Sequence, residues 1–213
     1  MKKLFIIAVV AVVAFGANSA SAANNAPLAA TSECDVPKNF IDSLNNKVTS
    51  VVTDKNKSDD EKTTILSDMF RDYVNIQWIG RFVLAQNWRS LKPAQQTEYL
   101  KAYEDYLLRT YVPIFKEYKG QSVEFISATP LRKPAEYMVA TKIISAGEPE
   151  IQVSYRIKKD AACFKVYDIV AEGVSMLNTQ RQDFLSIFSR KGYAELIKIL
   201  KSKVAAPTPV ASK

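Results

Sequence analysis

Val166-Tyr167-Asp168-Ile169-Val170-Ala171-Glu172-Gly173-Val174-Ser175-Met176 is the stretch on which the fold turns. It opens as a strand with one wet and one apolar face. Two carboxylates four residues apart follow, Asp168 and Glu172, then a turn glycine, Gly173, and a second apolar run. A strand therefore reaches a tight corner and gives way to a helix. Asn178 is placed to cap that helix, which carries Phe184, Leu185 and Phe188. On one helix the two carboxylates would share a face, but here the first lies in strand residues and the second in a turn. An acid–base pair needs a defined separation and one raised pKa, and nothing in the sequence indicates either. The structural reading is that both accept hydrogen bonds from backbone donors at the corner, or pair with arginines.

Upstream of this stretch the apolar period is two. Val123 and Phe125 alternate with polar neighbours, Tyr137 to Ile144 forms a second strand, and Ile151, Val153, Tyr155 and Ile157 alternate strictly with Gln152, Ser154 and Arg156. Cys163 to Val170 is the fourth strand. Turn signals at Ala146-Gly147 and Lys158-Lys159-Asp160 make the four an antiparallel meander.

Before Gly120 the period is helical. Phe40, Ile41, Leu44, Val48 and Val51 predict a helix from about Pro37 to Thr53, with Pro37 in its first turn. Ser58 and Glu61 form a capping box for a helix bearing Ile65, Met69, Phe70 and Tyr73. A further helical stretch holds Ile76, Ile79, Gly80, Phe82, Val83 and Leu84, flanked by Trp78 and Trp88. Pro93 opens the next helix, with Tyr99, Leu100, Tyr103, Tyr106, Leu107 and Tyr111 at three and four spacing; Pro113 is expected to kink or break it. After the corner, Gly192 interrupts the final helix ahead of Leu196, Ile197 and Leu200. Helices, then a sheet, then helices make an α+β domain.

The ends have a different character. Met1-Lys2-Lys3, the apolar run Leu4–Phe15 and Ala20-Ser21-Ala22 form an export signal, so residues 1–22 are expected to be cleaved. The run is too short for a comfortable membrane span. Residues 23–33 and the tail 204–213 are expected to be disordered, which leaves 34–203 as one domain. Without the signal, Lys+Arg falls from 29 to 27 against 22 Asp+Glu, and the net charge from +7 to +5. These charges are spread along the chain without the basic clusters of a nucleic-acid binder. A mild positive field suits anionic head groups or an acidic partner as well as plain solubility.

The chain contains no histidine, which removes the commonest general base and the commonest transition-metal ligand together. Neither a catalytic residue nor a metal ligand is assigned. Cys34 and Cys163 are the only cysteines. In an exported chain they read first as one disulfide, with two free thiols as the alternative. The tyrosine stripe suits either a packed core or a pocket with a greasy floor and a polar mouth. Broad apolar faces on both helices and sheet either close on each other or are held apart around a ligand. Periodicity does not distinguish these cases.

Three segments together resemble one family. They are Tyr73–Trp88, then Lys92-Pro93-Ala94-Gln95-Gln96 leading to Tyr99 and Tyr103, then Tyr167–Met176 followed by Arg181 and Phe184. They look like the toluene-tolerance (MlaC) family, the phospholipid-binding component of the Mla pathway for maintenance of lipid asymmetry. The third segment is the specific one. Ala85 stands where the family usually has glycine, and Lys92 where a Ser or Thr cap is common.

The resemblance implies an α+β fold with helices packed on a curved, mainly antiparallel four-stranded sheet, enclosing an apolar cavity. It implies a periplasmic carrier, without enzymatic activity or cofactor, whose cargo is a phospholipid. The implied partners are an inner-membrane ABC transporter complex with its substrate-binding subunit and an outer-membrane lipoprotein–porin complex. A lipid-free adaptor or chaperone and an Asp/Glu-dependent hydrolase are the alternatives. On this basis Val74, Trp78, Phe82, Tyr106, Tyr111 and Phe115 are expected to form a helical wall. Val123, Phe125, Val139, Val153, Tyr155, Phe164 and Val166 form the expected sheet wall. Val174 and Met176 are placed near the rim, with Asp168, Glu172 and Gly173 holding the corner.

Overall fold

The computed structural model describes residues 32–118, 120–160 and 163–205. The expected signal segment and most of the expected disordered ends lie outside these residues. Of the latter, Ser32, Glu33, Val204 and Ala205 are described: Glu33 accepts from Lys47 Nζ at 2.9 Å, and the last helix reaches Ala205.

α1 (Pro37–Thr53) starts on its proline and buries Phe40, Ile41 and Val48. It lies on the sheet, with the Phe40 ring 5.7 Å from Phe164 and 5.9 Å from Tyr73. Just ahead of it Cys34 is bonded to Cys163, the first residue of the fourth strand, with Cα atoms 4.4 Å apart. α2 (Asp59–Tyr73) opens on the capping box: Glu61 N–H donates to Ser58 Oγ at 3.2 Å, and Ser58 N–H to Glu61 Oε2 at 2.7 Å. Asp59, Asp60 and Glu61 in this turn also complement the helix dipole.

The break between α2 and α3 (Ile76–Leu84) is fixed from two sides. Asn75 N–H donates to the Val166 carbonyl at 3.0 Å, and the Asn75 side chain caps α3 through Trp78 N–H at 3.0 Å. α4 (Pro93–Phe115) crosses α3 at Gly80, where a Cβ would stand 2.8 Å from Leu100 Cδ2. The Tyr99 hydroxyl donates to the Gly80 carbonyl at 3.0 Å. α4 runs through Pro113 and ends two residues later, so the expected break at Pro113 does not occur there. A proline so near a helix end removes one donor from a turn about to terminate.

The sheet is an antiparallel meander in the order β1 (Ser122–Pro130), β2 (Glu136–Ile144), β3 (Ile151–Asp160), β4 (Cys163–Ala171) and β5 (Val174–Ser175). It therefore has five strands, one more than expected. Lys158-Lys159-Asp160, read as a turn, is still β3; the connection to β4 falls at 161–162, outside the described residues. The extra strand comes from the corner. Glu172 and Gly173 have φ of 48° and 79°, the left-handed pair of a two-residue hairpin turn. The chain then pairs back on β4 through Ala171 and Val174 before turning helical.

β4 also carries a bulge. Arg156 pairs with Asp168 and Ile157 with Val166, which leaves Tyr167 as the extra residue. The bulge shifts the alternation, so Val166, Ile169 and Ala171 share the face of Ile157, Tyr155 and Val153, while Asp168 lies on the other face with Arg156.

α5 (Met176–Ala205) bends at Gly192, where φ is 78° and ψ −179°. Its first turn is capped by Ser175 and Asp168, and not by Asn178. Leu177 N–H donates to Asp168 Oδ1 at 2.9 Å, Asn178 N–H to Ser175 Oγ at 3.0 Å, and Ser175 Oγ–H to Asp168 Oδ2 at 2.6 Å.

Two main cores result. α3, α4 and α5 meet around Val83, Leu84, Tyr99, Tyr103, Phe184, Leu196 and Leu200. The sheet and α1 meet around Phe40, Ile41, Val139, Val153, Tyr155, Ile157 and Phe164.

Candidate functional site

Between the two cores the packing is incomplete. A cavity with about 630 Å³ of empty space, its solvent-open mouth included, lies between β4 and the helices. Phe70 and Val74 from the end of α2, and Ile79 from α3, line it. Leu107, Tyr111, Ile114 and Phe115 come from the second half of α4; Val166, Tyr167, Asp168 and Ile169 from β4; and Met176, Leu177 and Gln180 from the first turns of α5. The sequence produces this wall because two helical stripes and one bulged strand converge. Phe70 lies in the last turn of α2, and Val74 is its extended C-cap, bridged to Val166; Leu107 and Tyr111 are four apart on α4 and share a helix face. The bulge at Tyr167 turns Val166, Tyr167 and Ile169 toward the helices within four residues.

The lining is almost wholly apolar, and each of its polar side chains already makes a hydrogen bond. Tyr103 donates to Gln180 Oε1, and Gln180 Nε2–H donates to the Tyr111 hydroxyl at 2.7 Å. Burial holds the phenols of Tyr103, Tyr106 and Tyr111 above the ordinary tyrosine range, so they stay protonated. Among the described residues no lysine or arginine lines the cavity. Asp168 is the one carboxylate there. Burial raises its pKa, against hydrogen bonds from Ser175, Leu177 N–H and Ile169 N–H and the charge of Arg156. Glu172 sits apart on the rim of the sheet, where Oε1 accepts from Gln152 N–H at 2.6 Å and its own N–H reaches the Gln152 carbonyl at 3.0 Å. Among the described residues no group of three or more acidic or sulfur side chains gathers as a metal site would.

Of the residues expected to form the walls, Val74, Tyr111, Phe115, Val166 and Met176 line this cavity. Trp78 and Phe82 stack on each other at 5.0 Å beside it, with Trp78 edge-on to the lining residue Tyr167. Tyr106 packs edge-on against Phe184 at 5.1 Å in the helical core. Val123, Phe125, Val139, Val153, Tyr155 and Phe164 lie elsewhere, in the core between the sheet and α1. They share the face of Val166, but at their positions α1 already fills the space with Phe40 and Ile41. Val174 is exposed on β5. Phe70, Ile79, Leu107, Ile114, Tyr167, Ile169, Leu177 and Gln180 were not assigned to the wall from sequence. The helical stripes contain the signal for Phe70, Ile79 and Leu107. Gln180, a polar residue in a helix, gives none.

The fold and the cavity define an α+β protein with an apolar chamber between a helical layer and the last full strand of an antiparallel sheet. The family model described as MlaC protein matches residues 42–202, and the chain belongs to that family. Among relatives, the intermembrane phospholipid transport system binding protein MlaC of Haemophilus influenzae is 25% identical over 147 residues, 68% of this chain and 69% of the relative. Among solved structures, the phospholipid-binding protein of Ralstonia solanacearum, determined in complex with a phospholipid, has the same fold. Its TM-score is 0.66 at 19% identity, over 78% of this chain and 94% of that one. No helix among the described residues is long and apolar enough to cross a membrane.

Proposed function

We propose that this chain is a periplasmic carrier of diacyl phospholipid, moving it between complexes of the outer and inner membranes and so maintaining outer-membrane lipid asymmetry. The observation that carries the reading is the open, largely apolar cavity in a chain of the MlaC family. The Haemophilus relative bears the name of a transport-system binding protein, and the Ralstonia protein of the same fold holds a phospholipid. The signal pattern over residues 1–22 supports export. The net charge of +5 after its removal favours approach to anionic head groups.

The physical need is large. Two acyl chains hold about 30 methylenes, and at about 0.8 kcal/mol each their exposure to water costs up to ~24 kcal/mol. A barrier of that height gives spontaneous escape on the order of a day. A dry apolar pocket resembles the bilayer interior, so transfer into it is close to isoenergetic, and the carrier works by removing the aqueous barrier. Direction then comes from partners with different affinities, because equal affinity at both ends shifts nothing. We assign those partner roles to an inner-membrane ABC transporter complex with its substrate-binding subunit and an outer-membrane lipoprotein–porin complex.

Taking a methylene as about a water's share of liquid volume, ~30 Å³, two chains fill ~900 Å³. Even with its open mouth counted, the cavity holds less empty space than that, so we expect loading to part its walls. The first half of α5, between the corner at Gly173 and the bend at Gly192, is the segment we expect to yield. Asp168 and Glu172 hold backbone donors of α5 and β3, and we read them as structural groups and not as catalysts. Native mass spectrometry of the protein purified from a Gram-negative periplasm tests the carrier reading. One diacyl phospholipid or more per chain is expected. A chain that emerges empty and takes up none from vesicles removes the reading and favours a lipid-free adaptor.

A further inference from the structure

The polar trio that reaches the cavity wall through Gln180 and Tyr111 has one donor too many. Tyr103, Gln180 and Tyr111 are joined by two hydrogen bonds. In the first the Tyr103 hydroxyl is the donor; in the second a Gln180 N–H is the donor and the Tyr111 oxygen the acceptor. The Tyr111 hydrogen is taken by no described residue. Its apolar neighbours in the wall, among them Phe70, Leu107 and Ile114, offer no acceptor. The carboxylate oxygens of Asp168 are held by Ser175 and by Leu177 N–H. Gln180 offers Oε1 to Tyr103 and Nε2–H to Tyr111, so the spare hydroxyl hydrogen lies on Tyr111, the tyrosine of the pair that lines the cavity.

The trio is also held in place. Tyr103 and Gln180 are buried. The Tyr103 ring stacks on Tyr99 at 5.7 Å, and the Tyr111 ring lies parallel to Phe70 at 6.3 Å. A linked chain of donors polarises its last member, and a buried donor without an acceptor favours any ligand that supplies one.

We propose that the Tyr111 hydroxyl, at the end of the Tyr103–Gln180 relay, donates to an ester carbonyl of a diacyl lipid and so fixes the depth at which the glycerol backbone sits. This rests on the carrier reading and goes beyond it by naming the recognised group. The acceptor is a neutral one. A phosphate or a free carboxylate needs a cation, and none lines the cavity, while the charge of Asp168 repels an anion. A carbonyl beside two apolar chains fits, and an ether linkage, which has no carbonyl, does not.

The test is competition between two phosphatidylglycerols of equal chain length, one diacyl and one with both chains ether-linked. They are mixed one to one in vesicles and offered to delipidated protein, and the lipids bound are counted by native mass spectrometry. The wild type is expected to take the ester lipid about fivefold to tenfold over the ether lipid, the worth of one hydrogen bond. Tyr111→Phe, which keeps the ring, is expected to bring the ratio to about one while still loading lipid. Tyr103→Phe keeps the terminal donor and is expected to lower the ratio only in part. A wild-type ratio near one overturns the proposal, as does a preference that survives Tyr111→Phe or is lost only with Tyr103→Phe. The wild-type ratio needs no variant, so misfolding of a substitution leaves the test intact. Binding of both lipids without preference would leave the carrier reading standing, whereas binding of neither would overturn both.

Discussion

The core under α1 and the cavity beside β4 are built from the same materials and end in opposite states. Both set aromatic and aliphatic helix residues against the same face of one sheet. Over β1 to β3, α1 packs Phe40 and Ile41 into one cluster with Val139, Val153 and Tyr155, and all five are buried. Over β4 the helices are held off. Asn75 ties the α2–α3 break to Val166, the bulge lifts Tyr167, and the corner sends α5 out from the strand before it returns. An apolar stripe therefore sets which side faces inward. The caps, bulges and turns at its ends set whether the partner arrives in contact or at a distance.

The sharpest way to break this contrast is to remove a ring from each side. Phe40→Ala leaves a void in a filled core and is expected to cost about 3–5 kcal/mol of stability. Phe70→Ala enlarges a space that already exists, so only the transfer part is lost, about 1.5–3 kcal/mol. Denaturant unfolding of both variants measures the difference. Equal losses would mean that the two regions are packed alike.

The disulfide belongs to the filled side, since it joins the approach to α1 to the first residue of β4. Replacing both cysteines by serine frees a long loop and is expected to cost about 2–5 kcal/mol, with lipid content of the folded fraction unchanged. A loss of lipid at equal folding would connect the bridge to the cavity. Additions run the other way. Ile169→Trp enters open space and is expected to change stability by less than about 1.5 kcal/mol while expelling cargo, whereas Val139→Trp overpacks and is expected to cost about 1–3 kcal/mol or more. Thermal melts paired with lipid extraction distinguish the two.

Local rules made much of this legible in advance. The bounds of α1 follow from Pro37 and the stripe through Val51, and the box at Ser58 and Glu61 is visible as a spacing. The first four strands follow from period-two alternation, and the bend of α5 from Gly192. What escaped depends on contacts between distant segments. The bulge at Tyr167 exists because Arg156 and Ile157 pair on either side of it, so counting along β4 alone puts Asp168 on the wrong face. The short β5 follows from two left-handed residues, of which only Gly173 advertises itself. Val139 and Val166 share a sheet face, a residue type and a core cluster, and no pattern in the sequence says that the cavity reaches Val166 and not Val139. Gln180 draws its meaning from two tyrosines about seventy residues away.

Asp168 stands on the border between the two regions and gives the finest test of the contrast. It faces Arg156 across the sheet, caps α5 through Leu177 N–H, and contributes to the cavity wall. Were the border fully wet, the cap bonds and Arg156 would hold its carboxyl below 3.8. Were it as dry as the core, burial would win, and the direction found is upward. A carboxyl whose folded pKa is raised contributes most while protonated, below its unfolded value. That contribution is lost as pH rises from about 3.8 through the folded pKa. Asp168→Asn cannot titrate and keeps an oxygen for Leu177 N–H, so the variant is expected to differ little from the wild type at pH 3. It should then gain on the wild type by a small margin, about 1 kcal/mol or less, as pH climbs through the acid range. Denaturant midpoints of both proteins at several pH values measure this gap. A gap that opens in favour of the wild type instead would show that hydrogen bonds and Arg156 outweigh burial at this position, and that water reaches the corner where the filled core gives way to the cavity.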